Sequence, residues 1–224
     1  MIHTPFPPSW ERPRADSYKG NFATLTPLNA DADVPELYAC SHLSPERERI
    51  WKYMTAGPFE NQEAFHAYCA SREGKEESIF FTVHSHALQR RIGQIALLNI
   101  VPEAGRAELG HIWYAPEAQK TKINTECVYL LLRHLFDDLG YRRAEWKCNN
   151  ENAESKRAAE RLGFRYEGLF RQHMVIKGEN RDTAWFSLLD SEWQERRQNF
   201  ERYLSGDNIS LTELNRNGRI TPEV

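Results

Sequence analysis

Apolar residues follow the period of a helix over one long segment of the chain. They stand at i, i+3, i+4, i+7, i+8 and i+11, namely Val128, Leu131, Leu132, Leu135, Phe136 and Leu139. This spacing places them all on one face of a helix. Gly140 follows directly, and glycine readily adopts the left-handed conformation that ends many helices. The pattern therefore predicts an amphipathic helix with one buried stripe that ends at Gly140.

Shorter apolar runs, rich in β-branched and aromatic residues, predict strands. These runs are 22–27, 78–84, 91–100, 107–114, 143–148, 164–171 and 183–189. Capping residues and helical spacing predict further helices at 31–41, from Ser44 onward, at 61–71, at 152–162 and at 191–204. The order β-αα(α)-βββ-α-β-α-ββ predicts a mixed α/β sheet in one domain.

The chain divides into three parts around this pattern. Its 224 residues are long enough for one substantial core. Residues 1–20 are rich in proline and are expected to form an extended arm outside the core. Residues 21–190 hold the periodic segments and are the expected domain. Residues 191–224 are expected to form a charged helix followed by a polar, mobile tail.

Composition excludes several classes of function. The chain has 29 Lys and Arg against 32 Asp and Glu, a net charge of −3, so a nucleic-acid partner is not expected. No apolar run reaches the roughly 20 residues of a membrane span, and no signal-peptide stretch opens the chain. We therefore expect a cytoplasmic protein without membrane contact. The four cysteines form no C-x-x-C pair and are expected to be reduced. His84 and His86 lack a third ligand nearby, so no metal is expected.

The turn between strand 107–114 and the long helix concentrates groups that bind anions. Pro116 ends the strand, and the helix is expected to begin near Asn124 or Thr125, both good N-cap residues. A helix N-terminus presents unpaired N–H groups and partial positive charge, to which Lys120 and Lys122 add two cations. The turn is a candidate phosphate site, and a solvated loop with ordinary capping is the alternative.

The next helix repeats this arrangement of strand, turn and helix. Asn152 is placed to cap it, Ser155 follows in its first turn, and Gly163 suits the left-handed position after its last turn. Two consecutive strand–helix units, one with a basic turn and one with an N-x-x-S opening, indicate a site for a cofactor that carries phosphate.

Two stretches resemble the Gcn-five-related N-acetyltransferase (GNAT) superfamily. One is E-L-G-H-I-W-Y from Glu108 to Tyr114, followed by Pro116, Gln119 and a Lys-Thr-Lys loop. The other is N-x-x-S-x-R-x-x-E-R-L-G-F from Asn152 to Phe164. The nearest branch holds the ribosomal-protein alanine acetyltransferases and many small-molecule acetyltransferases. The resemblance covers residues 22–190, about three quarters of the chain.

The resemblance implies a single-domain α/β (α+β) fold with acetyl-CoA as co-substrate. Its mixed, mostly antiparallel sheet is expected to be splayed between the fourth strand (108–114) and the fifth (143–148), and flanked by helices. The pantetheine arm is expected along the backbone of Ile112, Trp113 and Tyr114. The pyrophosphate is expected on the loop Gln119, Lys120, Thr121, Lys122, Ile123, Asn124 and Thr125. Asn152 and Ser155 are expected beside the arm and the thiol.

For catalysis, the resemblance implies a base that deprotonates the amine and an acid that protonates the leaving thiolate. Glu108 is the expected base, with a strand-edge carboxylate of no catalytic role as the alternative. His111 could serve instead, or could be a packed histidine. The tyrosine that many members use as the acid is replaced by Ala159, so Ser155 or a water is expected to act.

The predicted function is transfer of an acetyl group from acetyl-CoA to a primary amine of a small molecule, by direct attack in a ternary complex. A homodimer is possible, and no metal is expected. One alternative is a protein N-terminal acetyltransferase of the ribosomal-protein type. Another alternative is a non-catalytic acyl-CoA-binding protein. Two departures from the family pattern support this alternative: Ala159 in place of the acidic tyrosine, and Lys122 and Asn124 at the usual glycine positions of the loop.

Overall fold

The strands form one continuous sheet in the order β1-β2-β3-β4-β5-β6-β8-β7 in the computed structural model, which describes residues 6–217. The strands are β1 Tyr18–Lys19, β2 Ala23–Pro27, β3 Ile79–Ser85, β4 Arg90–Val101, β5 Arg106–Tyr114, β6 Arg143–Asn149, β7 Arg165–Ile176 and β8 Glu179–Leu189. Neighbours run antiparallel except β5 and β6, which run parallel. The mixed, mostly antiparallel sheet of the sequence analysis is confirmed.

Helices flank this sheet. They are α1 Ala30–Ser41, α2 Pro45–Glu48 with a 3-10 turn Arg49–Tyr53, α3 Gln62–Ala70, α4 Ile123–Arg133, α5 Ala153–Arg161, α6 Asp190–Ser205 and α7 Leu211–Asn217. Asparagine side chains cap three of them, because Asn29, Asn61 and Asn152 each accept a backbone N–H from the first turn of α1, α3 and α5. Within residues 6–217, no helix is long and apolar enough to cross a bilayer.

Helix α4 carries the predicted apolar stripe. The side chains of Val128, Leu131, Leu132, Leu135 and Phe136 are all buried in the core. The α-helical hydrogen bonding ends at Arg133, and a π-helical turn, His134–Asp138, continues the segment to the left-handed Gly140. The stripe fixes α4, and with it the first turn of α4, against the sheet.

Strands β5 and β6 separate soon after they meet. They pair at three positions only, from Arg106–Arg143 to Glu108–Glu145. Strand β5 bulges at His111, whose φ of 49° is left-handed, and a bulge changes the direction of a strand. Beyond Glu108 the edge of β5 that faces β6 has no strand partner, while β6 stays paired with β8 to its end. The splay implied by the resemblance is confirmed.

The N-terminal segment does not stand apart from the domain as expected. The Trp10 ring donates a hydrogen bond to the Gly140 carbonyl at 2.7 Å, and the Trp10 N–H donates to the Pro102 carbonyl at 3.1 Å. Strand β1 adds Tyr18–Lys19 to the sheet beside β2. One apolar ring, too isolated to form a periodic pattern, therefore ties the arm down. Residues 1–5 of the predicted arm lie outside the described residues.

The predicted polar tail also contains structure, because residues 211–217 form α7. Leu211 and Leu214 are buried, one turn apart on the same face. Ser210 and Glu213 form a reciprocal cap, in which each accepts the other's backbone N–H, at 3.3 and 3.0 Å. The S-x-x-E spacing was the signal for this helix, and the polar composition of the segment obscured it. Residues 218–224 of the predicted tail lie outside the described residues.

A buried carboxylate joins α4 to the turn between β1 and β2. Glu126 accepts the backbone N–H groups of Asn21, Phe22 and Ala23 at 2.6, 2.7 and 2.9 Å. A Cβ on Gly20 would lie 2.2 Å from the Glu126 Cδ, so a residue without a side chain is required there. The first turn of α4 is thereby fixed at a second point.

Replacing Glu126 by glutamine should destabilise the protein by about 2 kcal/mol, since one oxygen acceptor becomes an N–H donor facing backbone N–H groups. Urea unfolding measures the change. Glu76→Gln, on an exposed turn, is the matched control and should alter the free energy of unfolding by less than ~0.5 kcal/mol. Equal effects of the two substitutions would contradict this role of Glu126.

Candidate active site

The separation of β5 and β6 opens a cleft of about 1620 Å³. Its walls are the end of β5 with the following turn on one side, and the end of β6 with α5 on the other. Eleven sequence-predicted site residues line it, namely Glu108, His111, Ile112, Trp113, Tyr114, Gln119, Lys120, Thr121, Asn124, Asn152 and Ser155. Lys122, Ile123 and Thr125 are predicted residues that do not line this cleft.

The end of β5 offers backbone groups to the cleft. Trp113 and Tyr114 pair with Gln94 and Gly93 of β4 on one edge, and the other edge faces the gap. The Trp113 side chain is held away from the gap, because its ring N–H donates to Gln94 Oε1 at 3.1 Å. An extended ligand with amide groups could therefore pair with the free edge near Ile112 as an additional strand would.

The turn after β5 is held by its own side chains. The Gln119 amide donates to the Tyr114 carbonyl at 3.0 Å, and the Thr121 hydroxyl donates to the Ala118 carbonyl at 2.7 Å. Lys120 is exposed beside the cleft and has a left-handed φ of 60°. The turn thus presents one lysine to the cleft on a fixed backbone.

Lys122 points out of the cleft, which corrects the sequence interpretation of a two-lysine turn. Its ammonium group donates to the Leu204 carbonyl at 3.3 Å and lies over the rings of Phe22 and Tyr203, 5.5 and 5.3 Å from their centroids. Helix α4 begins at Ile123 with Lys122 as N-cap, so the expected cap at Asn124 or Thr125 is wrong. Each helical residue rotates the side-chain direction by about 100°, and this early start directs Lys122 elsewhere.

Ile123 and Thr125 are likewise turned into the protein. Ile123 is buried in the hydrophobic core. The Thr125 hydroxyl accepts a hydrogen bond from Arg161 at 2.8 Å. The side chains of these two residues therefore do not line the cleft, and only their backbone groups could contact a ligand there.

The first turn of α4 leaves backbone donors free at the cleft. Its first helical hydrogen bond runs from the Glu126 N–H to the Lys122 carbonyl at 2.9 Å. Among residues 6–217, the N–H groups of Asn124 and Thr125 have no acceptor, and the buried side-chain oxygen of Asn124 has no partner. Free N–H groups with the partial positive charge of a helix N-terminus favour an anion.

Arginines from three further helices line the same cleft. They are Arg157 and Arg161 of α5, Arg196 of α6 and Arg216 of α7. Sequence reasoning missed all four as site residues. Arg157 and Arg161 lie four residues apart on one helix face, a spacing already visible in the quoted N-x-x-S motif, whereas Arg196 and Arg216 come from the predicted C-terminal segment. The cleft is therefore cationic in a chain whose net charge is −3.

Asn152 and Ser155 sit at the start of α5, facing the end of β6. The Asn152 side chain accepts the Ser155 N–H at 3.0 Å and caps the helix, as predicted. The Ser155 oxygen accepts the Trp146 ring N–H at 3.0 Å. Because a hydroxyl both accepts and donates, Ser155 can also donate its own hydrogen, and its hydrogen bond to Cys148 opposes the effect of burial, which raises the pKa of that thiol.

Glu108 stands where the two strands part, and its side chain is buried, not exposed at a strand edge. Its Oε2 accepts from Asn99 at 2.6 Å and lies 2.8 Å from the Lys147 ammonium. No protein donor within residues 6–217 contacts its Oε1, which lies 3.1 Å from where a Cβ on Gly110 would stand. Burial raises the pKa of Glu108, with Lys147 and Asn99 opposing the shift.

His111 has the environment of a packed histidine. Its Nε2 lies 3.2 Å from Gln94 Oε1, and its ring contacts Tyr68 and Phe80. Burial, with the charge of Arg72, lowers the pKa of His111 to about 3. The ring is therefore neutral in the folded state at physiological pH.

Lys147 and Arg181 are further charged residues of the cleft that sequence reasoning missed. Each lies in a strand whose local pattern predicts only alternation, so nothing in the sequence indicates which face it shares with Glu108. Within the described part of the chain, no group of three or more His, Cys, Asp or Glu side chains could hold a metal ion.

Comparisons with known proteins agree with this geometry. Residues 23–165 match the acetyltransferase (GNAT) domain family, so the chain belongs to the GNAT acetyltransferases. A solved GCN5-related N-acetyltransferase from Brucella melitensis is similar, with a TM-score of 0.89 and 38% identity over 93% of this chain and 97% of that one. The protein is thus an enzyme of the N-acetyltransferase class that the sequence predicted.

Two curated relatives from Bacillus are similar at lower coverage. The uncharacterized N-acetyltransferase p20 of Bacillus licheniformis is 31% identical over 73% of this chain and 89% of its own length. YdaF of Bacillus subtilis, named as a ribosomal N-acetyltransferase, is 31% identical over 46% of this chain and 55% of its own length. The chain thus matches little more than half of YdaF.

The two low-pKa histidines should make folding sensitive to acid. Burial lowers the pKa of His42 to about 4, as it lowers that of His111 to about 3. An unfolded histidine titrates near 6.5, so below that pH the unfolded state binds more protons. Stability should fall as the pH falls from about 6.5 to 4, by up to ~1.4 kcal/mol per pH unit for each ring.

Urea unfolding at pH 7 and pH 5 measures this effect. His111→Asn should reduce the loss of stability between the two pH values, because it removes one of the two rings. His173→Asn, at an exposed position of β7, is the matched control. The same pH dependence in the His111 variant as in the wild type would contradict a buried, neutral ring.

Proposed function

We propose that this protein transfers the acetyl group of acetyl-CoA to a primary amine of a small molecule, by direct attack in a ternary complex. The observation that carries the proposal is the cleft itself. One end presents a free strand edge, a helix N-terminus and arginines, and Glu108 stands where the strands part. A donor that combines amide groups with phosphates fits the strand edge, the helix N-terminus and the arginines. An amine that must lose a proton fits Glu108.

The residues present suit CoA, the donor that GNAT acetyltransferases use. The free backbone edge at Ile112, Trp113 and Tyr114 supplies partners for the pantetheine amides. The side chains of Gln119, Lys120 and Asn124, with the free N–H groups of Asn124 and Thr125, would hold the pyrophosphate. Thr121 would stabilise the turn, because its hydroxyl donates to the Ala118 carbonyl. Lys122 and Ile123 would contribute backbone only. Asn152 would border the arm where it crosses to α5.

We call the residues that would hold the pyrophosphate the phosphate seat. Four arginines extend it beyond the turn, namely Arg157, Arg161, Arg196 and Arg216. Arg161 links two parts of the seat, since its guanidinium donates to Thr125 of α4 and its carbonyl accepts the Asn215 side chain of α7 at 2.8 Å. Cations spread over α5, α6 and α7 suit a ligand with more than one phosphate group. They offset the absence of the usual loop glycines at Lys122 and Asn124.

Glu108 would act as the general base through Oε1, because Oε2 is occupied by Lys147 and Asn99. An amine is protonated at neutral pH and must lose a proton before it attacks. The raised pKa of Glu108 brings its basicity closer to working pH. His111, with a pKa of about 3, is a much weaker base.

Ser155 would protonate the leaving thiolate. Its oxygen is fixed by the Trp146 ring N–H, and its own hydrogen, for which the Cys148 thiol is the neighbouring acceptor, would go to the more strongly accepting, negatively charged sulfur of the leaving group. In the transfer, the N–C bond forms and the C–S bond breaks. The ammonium form of the amine gives up two protons, one to Glu108 before attack and one as the amide forms. The thiolate gains one proton from Ser155, which regains it from solvent, so the products are an amide, the CoA thiol and one proton.

A protein N-terminus is the second candidate acceptor, favoured by the name of YdaF. It would present one primary amine to the same base. Acetylation of peptides that carry ribosomal-protein N-termini, in preference to small amines, would support this alternative. Tight CoA binding without turnover of any amine would support the non-catalytic one.

Two lysines of the turn provide a test of the phosphate seat. Lys120 faces the cleft and Lys122 points away from it. Lys120→Met should weaken CoA binding about three- to fivefold, the effect of removing one exposed charge near phosphate. Lys122→Met should leave the dissociation constant within twofold but lower the Tm, since its ammonium group bridges two rings. Calorimetric titration with CoA measures both dissociation constants. Weaker binding in the Lys122 variant alone would contradict the proposed position of the phosphate seat.

Glu108→Gln tests the base. It should reduce kcat by about 100-fold or more, with little change in CoA affinity. A base must be unprotonated, so wild-type kcat should fall as the pH falls through the raised pKa of Glu108, and this acidic limb should be missing in the variant. Release of free CoA measured from pH 5 to 9 gives both profiles. An unchanged profile in the variant would remove Glu108 from the mechanism.

A further inference from the structure

Arg181 is a buried cation of the cleft that the proposed mechanism does not use. It lies near the start of β8, and its side chain is only 7% exposed. It lines the cleft, and its Nε is buried without a hydrogen-bond partner. Among residues 6–217, no carboxylate lies within ion-pair distance of its guanidinium.

Burying such an arginine is energetically unfavourable unless a ligand pairs with its guanidinium. Burying a charge without a partner is strongly unfavourable, and buried arginines are normally paired. Burial lowers the pKa of Arg181, and Cys148 and Glu108 oppose the shift only in part. The neighbouring Asp182 is not the partner, since its Oδ1 accepts the Gln172 N–H and the Asn180 amide. Glu108 is already paired with Lys147 at 2.8 Å.

The register of the sheet places Arg181 on the same face as the expected base. Lys147 of β6 is directly opposite Trp185 of β8, and Glu145 of β6 is directly opposite Glu108 of β5. Alternation along β6 and β8 then puts Glu108, Lys147 and Arg181 on one face. Trp146, which holds Ser155, is on the other face with α5. Arg181 therefore lies on the side from which an amine would approach Glu108.

Among these three side chains the charges are unbalanced by one, whereas Glu145 on the same face is paired with Arg106 and Arg143. Glu108 and Lys147 neutralise each other, and Arg181 leaves a net positive charge. A polycation without an acidic group would be repelled there. A guanidinium offers five N–H donors in a planar fork that matches a carboxylate in bidentate fashion.

We propose that Arg181 binds a carboxylate of the acceptor, so that the enzyme acetylates an amine that also carries a carboxylate, as an amino acid does. This inference rests on the proposed function, because it assumes that the amine reacts beside Glu108. It identifies Arg181 as the residue that selects the acceptor, and it separates this acceptor class from polyamines.

Matched acceptor pairs test the proposal. Each common L-amino acid is compared with its amide, and spermidine serves as an amine without a carboxylate, with release of free CoA as the readout. The wild type should prefer at least one acid over its amide by about 30-fold or more in kcat/KM. Arg181→Gln should remove this preference mainly through KM, and Arg181→Lys should restore part of it. Arg171→Gln, an exposed arginine on the adjacent strand that does not line the cleft, is the control and should keep it.

A binding measurement separates this inference from the proposed function. In calorimetry with CoA present, the N-acetyl derivative of the preferred amino acid should bind more tightly than the N-acetyl amide, and Arg181→Gln should lose the difference while its CoA affinity stays unchanged. Where no amine turns over, the N-acetyl derivatives of all the amino acids are screened in the same way. Selective carboxylate binding without turnover would support the anion subsite and contradict the proposed function. Two outcomes would overturn the inference and leave the proposed function standing. In one, the wild type acetylates acids and amides equally well. In the other, the wild type and the Arg181 variant show the same preference for the acid.

Discussion

The short pairing of β5 with β6 is the constraint on which the rest of the molecule depends. Three residue pairs hold the strands together, and the last contains Glu108 and Glu145. Ion pairs close this junction, because Glu145 contacts Arg106 at 3.1 Å and Arg143 at 2.8 Å, while Glu108 contacts Lys147. The backbone groups on the facing edges of β5 and β6 would ordinarily hydrogen-bond to each other along the whole length of the strands. The bulge at His111 prevents it, and a cleft with an open backbone edge results.

The same separation collects electrostatic groups that no single element could supply. Both strands are followed by helices, so the first turns of α4 and α5 begin at the cleft. Helix α4 contributes unpaired N–H groups because its cap, Lys122, offers no side-chain acceptor. Helix α5 is instead capped by Asn152, and it contributes Ser155 and its arginine side chains. In the proposed site, one helix would bind through its backbone and the other through its side chains, consistent with the different sequences of their N-termini.

Sequence reasoning could predict whatever depends on local pattern. The stripe of α4, the cap at Asn152 and the order of elements along the chain were predicted in this way, whereas the position of the splay was implied by the resemblance to the GNAT superfamily. Lys122 was misassigned because the helix begins two to three residues earlier than predicted, and each residue turns the side-chain direction by about 100°. Errors of this size are ordinary when sequence patterns are used to locate helix ends. Arg196 and Arg216 were missed because they are distant in sequence from the turn they accompany. Arg181 was missed because alternation along a strand does not show which neighbouring charges remain unpaired.

The family match covers part of the cleft. It ends at residue 165, so it contains β5, the turn, α4 and α5, to which we assign most of the binding of the donor. Arg181, Arg196 and Arg216 lie beyond it. The chemistry of acetyl transfer can therefore be common to relatives, while the contact that we propose for the acceptor is made from β8, outside the match. An acceptor-selecting residue in β8 can change without disturbing the free edge of β5, because β8 contacts the cleft from the far side of β6. Selectivity for the acceptor is thus physically separable from binding of the donor, and variation at position 181 should change the substrate while the donor site remains intact.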